Sequence, residues 1–261
     1  MIYTFFSKTD TGRARDNNED SVAIDKEMRV VVLADGMGGY NAGEVASGMA
    51  TAYITTELGR WLTEVGAVAR SREVRRAMEI CVDSANLAIF NAANSNAHYA
   101  GMGTTLVVAV FRDDALVLGH IGDSRCYRLR AGTLEQITRD HSLLQEQLDA
   151  GLITPEQAQH SNIKNLVTRA LGVEALVLIE VNEHAVEPGD IYLLCSDGLS
   201  DMVSDATIAQ ILATETGLER QAQALVDAAN DHGGRDNISV LMVELNKGSE
   251  KRGLIARLLG K

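Results

Sequence analysis

The chain has 261 residues, 46% of them apolar and 23% charged, which suits a globular protein with a sizeable core and excludes disordered, collagen-like and fibrous classes. Its formal charge is −12, from 24 Lys+Arg against 36 Asp+Glu, a sign that repels phosphate backbones and anionic lipid and argues against nucleic acid as a partner. The three cysteines, Cys81, Cys126 and Cys195, are odd in number, far apart and free of CxxC spacing, which excludes a disulfide framework and a zinc cage and fits a reducing, cytoplasmic compartment.

Taken in order, the N-terminal MIYTFFSKTD meets a charge at Lys8 and has no long apolar core, so no signal peptide is expected. Strands are expected at 3–8, 21–25 and 29–34, followed by helices at 44–61 and 73–92. The second helix carries Val74, Met78, Cys81, Ala85, Ala88 and Ala92 at alternating four- and three-residue spacing, which is one helical face. The uncharged run 84–111 holds NAANSNAHYAGMG in its middle and reads as helix end, loop and strand, not a membrane span. Strands return at 104–111, 115–121 and 125–130, with turns at Asp113-Asp114 and Ala131-Gly132. A polar, helix-prone insert covers 142–165. Strands follow at 176–182 and 191–196, a helix pair at 205–213 and 218–231, and a last strand at 238–245.

Strands thus come in adjacent blocks and helices in adjacent pairs, unlike the alternation of a doubly wound parallel sheet. The order predicts an α+β fold of stacked, mostly antiparallel sheets covered by helix pairs. With only Pro155 and Pro188 in the chain and no linker composition, residues 1–246 are expected to be one domain. The tail 247–261 differs: five Lys+Arg against one Glu give it +4, which leaves −16 on the rest. Leu254, Ile255, Leu258 and Leu259 share one helical face there, so the tail reads either as a frayed or body-docked helix or as a short basic amphipathic anchor.

Three aspartates share a context. Asp35 ends VVVLAD, Asp197 ends IYLLCSD, and Asp236 sits in GGRDN just before ISVLMVEL. Each lies at a predicted strand end with glycine close by, where distant parts of a chain can bring carboxylates and backbone carbonyls to one point. Packed carboxylates repel unless cations neutralise them, and hard oxygen ligands suit Mg²⁺ or Mn²⁺ better than zinc. Taken singly, each DG or DN is also an ordinary turn dipeptide. Upstream, Arg15 stands beside Asn18, Glu19 and Asp20, where a guanidinium fork would suit a phosphate next to such a cation site.

Eight blocks occur in order: Asp10-x-Gly12-x-x-Arg15-x-x-Asn18-Glu19-Asp20; Ala34-Asp35-Gly36-Met37-Gly38-Gly39; Gly101-Met102-Gly103-Thr104-Thr105; Gly122-Asp123-Ser124-Arg125; Thr138-Arg139-Asp140-His141-Ser142; Leu166-Val167-Thr168-Arg169-Ala170-Leu171-Gly172; Ser196-Asp197-Gly198-Leu199; and Gly234-Arg235-Asp236-Asn237-Ile238-Ser239. With these the chain resembles the metal-dependent serine/threonine protein phosphatases of the type-2C family in their compact bacterial form. The resemblance implies an α-β-β-α sandwich with a two-metal centre of Mn²⁺ or Mg²⁺ at one end. Asp35 would bridge the metals, the Gly36 carbonyl would bind one of them, and Asp197 and Asp236 would complete the other. Asp123 would hold a third, weaker metal with Asp197. Glu19 and Asp20 would orient metal-bound waters with Asn237 behind the ligands, Arg15 would grip the substrate phosphate, and 142–165 would be the flap beside the site.

The implied reaction is hydrolysis of phosphoserine and phosphothreonine on proteins by a metal-activated bridging water, reversing a serine/threonine kinase, in a cytoplasmic monomer with no transmembrane span. What is missing agrees with this. Six residues after the three cysteines stand Leu87, Gly132 and Asp201, so the thiolate phosphatase loop is absent. The Gly-rich DGMGGYNAG lacks GK[ST] and is no phosphate loop of the nucleotide-binding type. Met37 stands where many eukaryotic relatives have a histidine that serves as general acid, and methionine cannot donate a proton. His160 in the flap is a candidate for that role, whereas His141 reads as structural. Trp61 and Cys195 read as core, and Thr104-Thr105 as the start of a strand. Two other readings use the same fold: a non-enzymatic binding module, which should lack the core aspartates, and a hydrolase of small phosphate esters.

Overall fold

The computed structural model describes residues 1–38, 42–66, 69–154, 157–158 and 166–247. In chain order the elements are β1 (Ile2–Asp10), β2 (Asp20–Asp25), β3 (Val30–Met37), α1 (Ala42–Val65), α2 (Ser71–Ser95), β4 (Gly103–Thr104), β5 (Leu106–Phe111), β6 (Ala115–Ile121), β7 (Arg125–Arg130), β8 (Thr133–Gln136), α3 (Leu143–Asp149), β9 (Glu180–Ala185), β10 (Ile191–Cys195), α4 (Asp197–Ser200), α5 (Asp205–Thr214), α6 (Leu218–Asp231) and β11 (Ile238–Asn246). One sheet runs β2-β3-β5-β6-β9, with β4 also paired to β3, and the other runs β1-β11-β10-β7-β8. The strand pairs are antiparallel.

Side-chain alternation explains why the sheets stack. In β3, Val30, Val32 and Ala34 face α1 and α2, while Val31 and Leu33 face the opposite sheet. In β11, Val240 and Met242 face α5 and α6, while Leu241, Val243 and Leu245 face inward. Central strands buried on both faces are apolar throughout, which is why VVVLA and LVVAVF do not alternate with polar residues. Three cores result: one between each sheet and its helix pair, and one between the sheets, where Phe111 meets Tyr192 edge-on at 5.3 Å. This is the α-β-β-α sandwich that the resemblance implies. Ala42, Ala46 and Ala50 let α1 lie close on its sheet, and half-buried Trp61 packs on the same core. All three cysteines are buried and unpaired. Among the described residues, no helix is long and apolar enough to cross a membrane.

Some expected elements are displaced. The strand expected at 176–182 begins only at Glu180, because its ladder partner β6 ends at Ile121, where Gly122 turns the chain at φ +101°. Segment 176–179 is therefore outside the ladder, with Val177 and Ile179 packed inward. The strand expected at 104–111 breaks at Thr105, whose N–H donates to the Asp35 carbonyl. Thr133–Gln136 forms the hairpin partner of β7, and a one-turn helix begins at Asp197 itself. Of the insert 142–165, α3 carries the helical character; residues 159–165, His160 among them, and the tail from 248 onward lie outside the described residues.

Candidate active site

At one end of the sandwich the strands bring distant acids together. Antiparallel pairing sets Asp20, the first residue of β2, directly opposite Asp35 near the end of β3. Asp10, the last residue of β1, pairs with Ile238, so Asp236 and Asn237 sit at the same end. Asp197 follows β10 after the single residue Ser196. Two glycines permit the closeness. A Cβ on Gly36 would lie 2.2 Å from the Gly43 carbonyl oxygen and 2.6 Å from that of Glu19, and a Cβ on Gly198 would lie 2.0 Å from the Asn237 carbonyl oxygen. Any side chain at Gly198 would push Asp197 away from Asp236.

The result is a cavity of about 210 Å³ whose lining includes Asp35, Asp123, Asp197, Asp236, Glu19 and Arg15. Five carboxylates from five separate stretches of chain thus face one small space. Burial above all, then the charges of Asp20, Asp197, Asp123 and Asp236, hold the Asp35 carboxyl well above its usual range. Asp197 is likewise held well above it, by burial and then by Asp123, Asp201 and Asp236. Asp123 is pushed up to about 6 by burial and then by the charge of Asp140. Asp20 is pushed up to about 6 by burial, against the help of hydrogen bonds from Ser239 and Ser196. Its Oδ2 accepts from Ser196 Oγ at 2.8 Å, yet Oδ1 is buried without a hydrogen-bond partner among the described residues. Such a concentration of reluctant carboxylates is what a bound divalent cation would relieve, and the all-oxygen set suits Mn²⁺ or Mg²⁺.

The predicted supporting residues take distinct places. Asn237 is the hub: its Oδ1 accepts from the Glu19 N–H at 2.8 Å, its Nδ2 donates to the Asn17 and Thr11 carbonyls, and its own N–H donates to Asp236 Oδ1 at 2.8 Å. The Gly36 N–H donates to the Glu19 carbonyl at 3.1 Å. Glu19 reaches the cavity, whereas Asp20 stands behind Asp35. Arg15 lies at the rim, its side chain 51% exposed, with Nη2 donating to Asp236 Oδ2 at 2.7 Å.

Sequence reasoning missed Thr105, which lines the cavity. Its hydroxyl accepts from the Asp35 N–H at 3.0 Å and shares a hydrogen bond with Ser124 Oγ at 2.7 Å, next to Asp123. It missed Ser196 and Asp201 as well. The signal was present for two of them, since Thr105 and Ser196 fall inside the matching blocks. Asp201 follows Asp197 by four residues across the one-turn helix, a spacing that nothing marked as part of the site.

His141 is not in this cavity. It is buried, stacks on His120 at 4.7 Å and accepts from the Gly122 N–H at Nδ1. That bond places the neutral ring's proton on Nε2, facing Glu180 Oε2 at 3.5 Å. Ligand atoms of His120, His141 and Glu180 lie within 4.8 Å of one another, but the proton stands where a cation would bind. This trio pins the start of the flap to β6 and β9. A larger depression of about 530 Å³ lies at the opposite end of the sandwich, by Met28, Leu62 and Phe111. Arg29 there is paired to Asp113 at 2.8 Å and lies over the Tyr3 ring, and no acidic cluster like the first is present among the described residues.

Comparison with known proteins agrees with this geometry. The family description Protein phosphatase 2C matches residues 11–237. The serine/threonine phosphatase stp of Listeria innocua is 39% identical over 92% of this chain and 94% of its own length. The crystal structure of the Mycobacterium tuberculosis serine/threonine phosphatase PstP/Ppp superposes with a TM-score of 0.87 at 38% identity, covering 95% of this chain and all of that one (100%). A structure of the catalytic domain of PstP in complex with two manganese ions is 38% identical, with a TM-score of 0.81, over 94% of this chain and 99% of that one. With the fold, the acid-lined cavity and these likenesses in agreement over nearly its whole length, the chain belongs to the protein phosphatase 2C family.

Proposed function

We propose that the cavity is a two-metal phosphatase centre in which Asp35, Asp197 and Asp236, with the Gly36 carbonyl, hold two Mn²⁺ or Mg²⁺ ions, and Asp123 with Asp197 a third, weaker one. The single observation that carries this is the convergence of five carboxylates from separate stretches of chain on one cavity of about 210 Å³. The reaction is hydrolysis of phosphoserine and phosphothreonine on proteins. When bound, such ions supply an activated water and draw charge from the phosphoryl group. The remaining work belongs to the chain. Asp35 is held in place through its backbone, by Thr105 Oγ1 accepting from its N–H and by Thr104 Oγ1 donating to its carbonyl at 2.9 Å. Asn237 and Glu19 fix the Asp236 loop against the start of β2.

Arg15 is exposed enough to meet a phosphate at the rim, and its guanidinium carries five donors, one of them on Asp236. The hydrogen bond to Asp236 raises its already high pKa, so its charge is constant. Met37 lines the cavity but offers no proton, and among the described residues no histidine lines it. His160 of the insert, which lies outside the described residues, therefore stays the candidate donor of a proton to the leaving oxygen, with solvent as the alternative. The substrates are products of a serine/threonine kinase, which the enzyme reverses. We propose action as a monomer, and the acidic charge and unpaired cysteines support the cytoplasm.

The roles separate in one variant. Arg15→Ala removes charge-assisted hydrogen bonds to phosphate and should raise KM for a phosphothreonine peptide by about 10- to 100-fold, with kcat much less changed. Steady-state kinetics decide it: a fall in kcat alone would give Arg15 another role.

A further inference from the structure

Beside the catalytic cavity the surface is unexpectedly apolar. Leu176 and Leu178 are 87% and 83% exposed, and Val173 and Leu166 are 55% and 52% exposed. Val173, Leu176 and Leu178 share a groove of about 350 Å³ with the polar Thr168, Arg169 and Glu174. The groove adjoins the active site, because Val167 lines the catalytic cavity and Thr168, the next residue, lines the groove. These side chains are not on a loose loop. The Thr104 and Leu171 backbones exchange hydrogen bonds at 3.0 and 2.9 Å. Buried Asn86 receives the Gly172 N–H at 2.7 Å and donates to the carbonyls of Glu174 and Ala175. Val177 and Ile179 pack into the helix-side core, so alternation turns Leu176 and Leu178 outward. The fold needs neither leucine there, and exposed apolar side chains gathered in a groove beside a cleft mark a binding surface.

We infer that this groove docks aliphatic side chains of the substrate protein that flank its phosphorylated residue, so that the enzyme prefers phosphosites in apolar sequence. The inference rests on the phosphatase reading above and names its substrate class. Occupation by the substrate follows from continuity with the cavity: a chain whose phosphate lies there must leave it across a neighbouring surface. Because Val167 and Thr168 are neighbours in the chain, the residues that meet the groove are those close in sequence to the phosphothreonine.

The test compares two phosphothreonine peptides, one flanked by leucines and one by serines, together with p-nitrophenyl phosphate, on wild type and on Leu176→Ser/Leu178→Ser. Both replaced side chains are exposed, so the core is untouched, and unchanged melting temperature confirms that. Wild type should favour the leucine peptide by about 10-fold or more in kcat/KM, through KM, since burying even one leucine is worth that much. The double variant should lose this preference and hydrolyse p-nitrophenyl phosphate as before. Equal rates on both peptides in wild type, a preference that survives the substitutions, or conversion of a dimer to a monomer by them would overturn the inference. Loss of all phosphopeptide turnover in wild type would instead strike the phosphatase reading.

Discussion

Replacing Asp35 with asparagine is expected to abolish phosphopeptide hydrolysis while raising the melting temperature of the protein in chelator at neutral pH. The two effects have one cause. Asp35 sits opposite Asp20 and shares its cavity with Asp123, Asp197 and Asp236. Its ionised form is opposed first by burial and then by all four charges. Asparagine has the same shape, keeps the backbone bonds to Thr104 and Thr105, and carries no charge. Relief of the repulsion should stabilise the fold by about 1–3 kcal/mol, or roughly 2–10 °C for a domain of this size. The same substitution removes the carboxylate proposed to be the central cation ligand, which should lower turnover by about 1,000-fold or more. Thermal melts in EDTA beside peptide hydrolysis in Mn²⁺ would show both. A variant that melts lower than wild type in EDTA, or keeps near-normal turnover, would show that Asp35 is not the crowded centre of the site.

The second large effect concerns pH. A carboxyl whose folded pKa is raised binds its proton more tightly in the native than in the unfolded chain. Its penalty is absent below the unfolded value near 3.8, grows as pH rises, and is complete above the folded value, about 6 for Asp20 and Asp123 and higher for Asp35 and Asp197. His141 and His184 oppose this: burial first, then neighbouring charge, lowers both, so each costs stability as pH falls below about 6.5. Four raised acids outweigh two lowered histidines. In EDTA the melting temperature should therefore rise from pH 7.5 to about 5.5, each net proton taken up on folding contributing about 1.4 kcal/mol per pH unit. Mn²⁺ bound as proposed by Asp35, Asp123 and Asp197 would compete with their protons, so its stabilising effect should be larger at pH 7.5 than at 5.5. Flat or falling stability in EDTA over that window, or an equal Mn²⁺ gain at both ends, would contradict the cluster's charge state.

Much of this was legible in the chain because strand alternation and glycine punctuation leave local traces. The run Leu218–Asp231 declared its helix by spacing alone, and the turn at Asp113-Asp114 fell where β5 meets β6. The three aspartates could be read as strand-end residues before any fold was known. Other features are matters of three-dimensional pairing. The late start of β9 depends on where β6 ends, four elements earlier in the chain, and apolar Leu176 and Leu178 look like strand residues until the missing ladder partner is seen. Thr105 looked like the opening of a strand, and only the hydrogen bonds to Asp35 and Ser124 show that it steadies the cavity wall. Asn237 could be named from the motif, but its role as a link between residues more than 200 positions apart is visible only in the folded chain.

The central claim, that Asp35, Asp197 and Asp236 gather divalent ions that make the reaction possible, is tested most directly by following hydrolysis of a phosphothreonine peptide through a metal cycle. Protein stripped with chelator should be inactive, gain turnover as Mn²⁺ is added, and lose it again when EDTA exceeds the metal. Turnover that persists undiminished in excess EDTA would contradict the account.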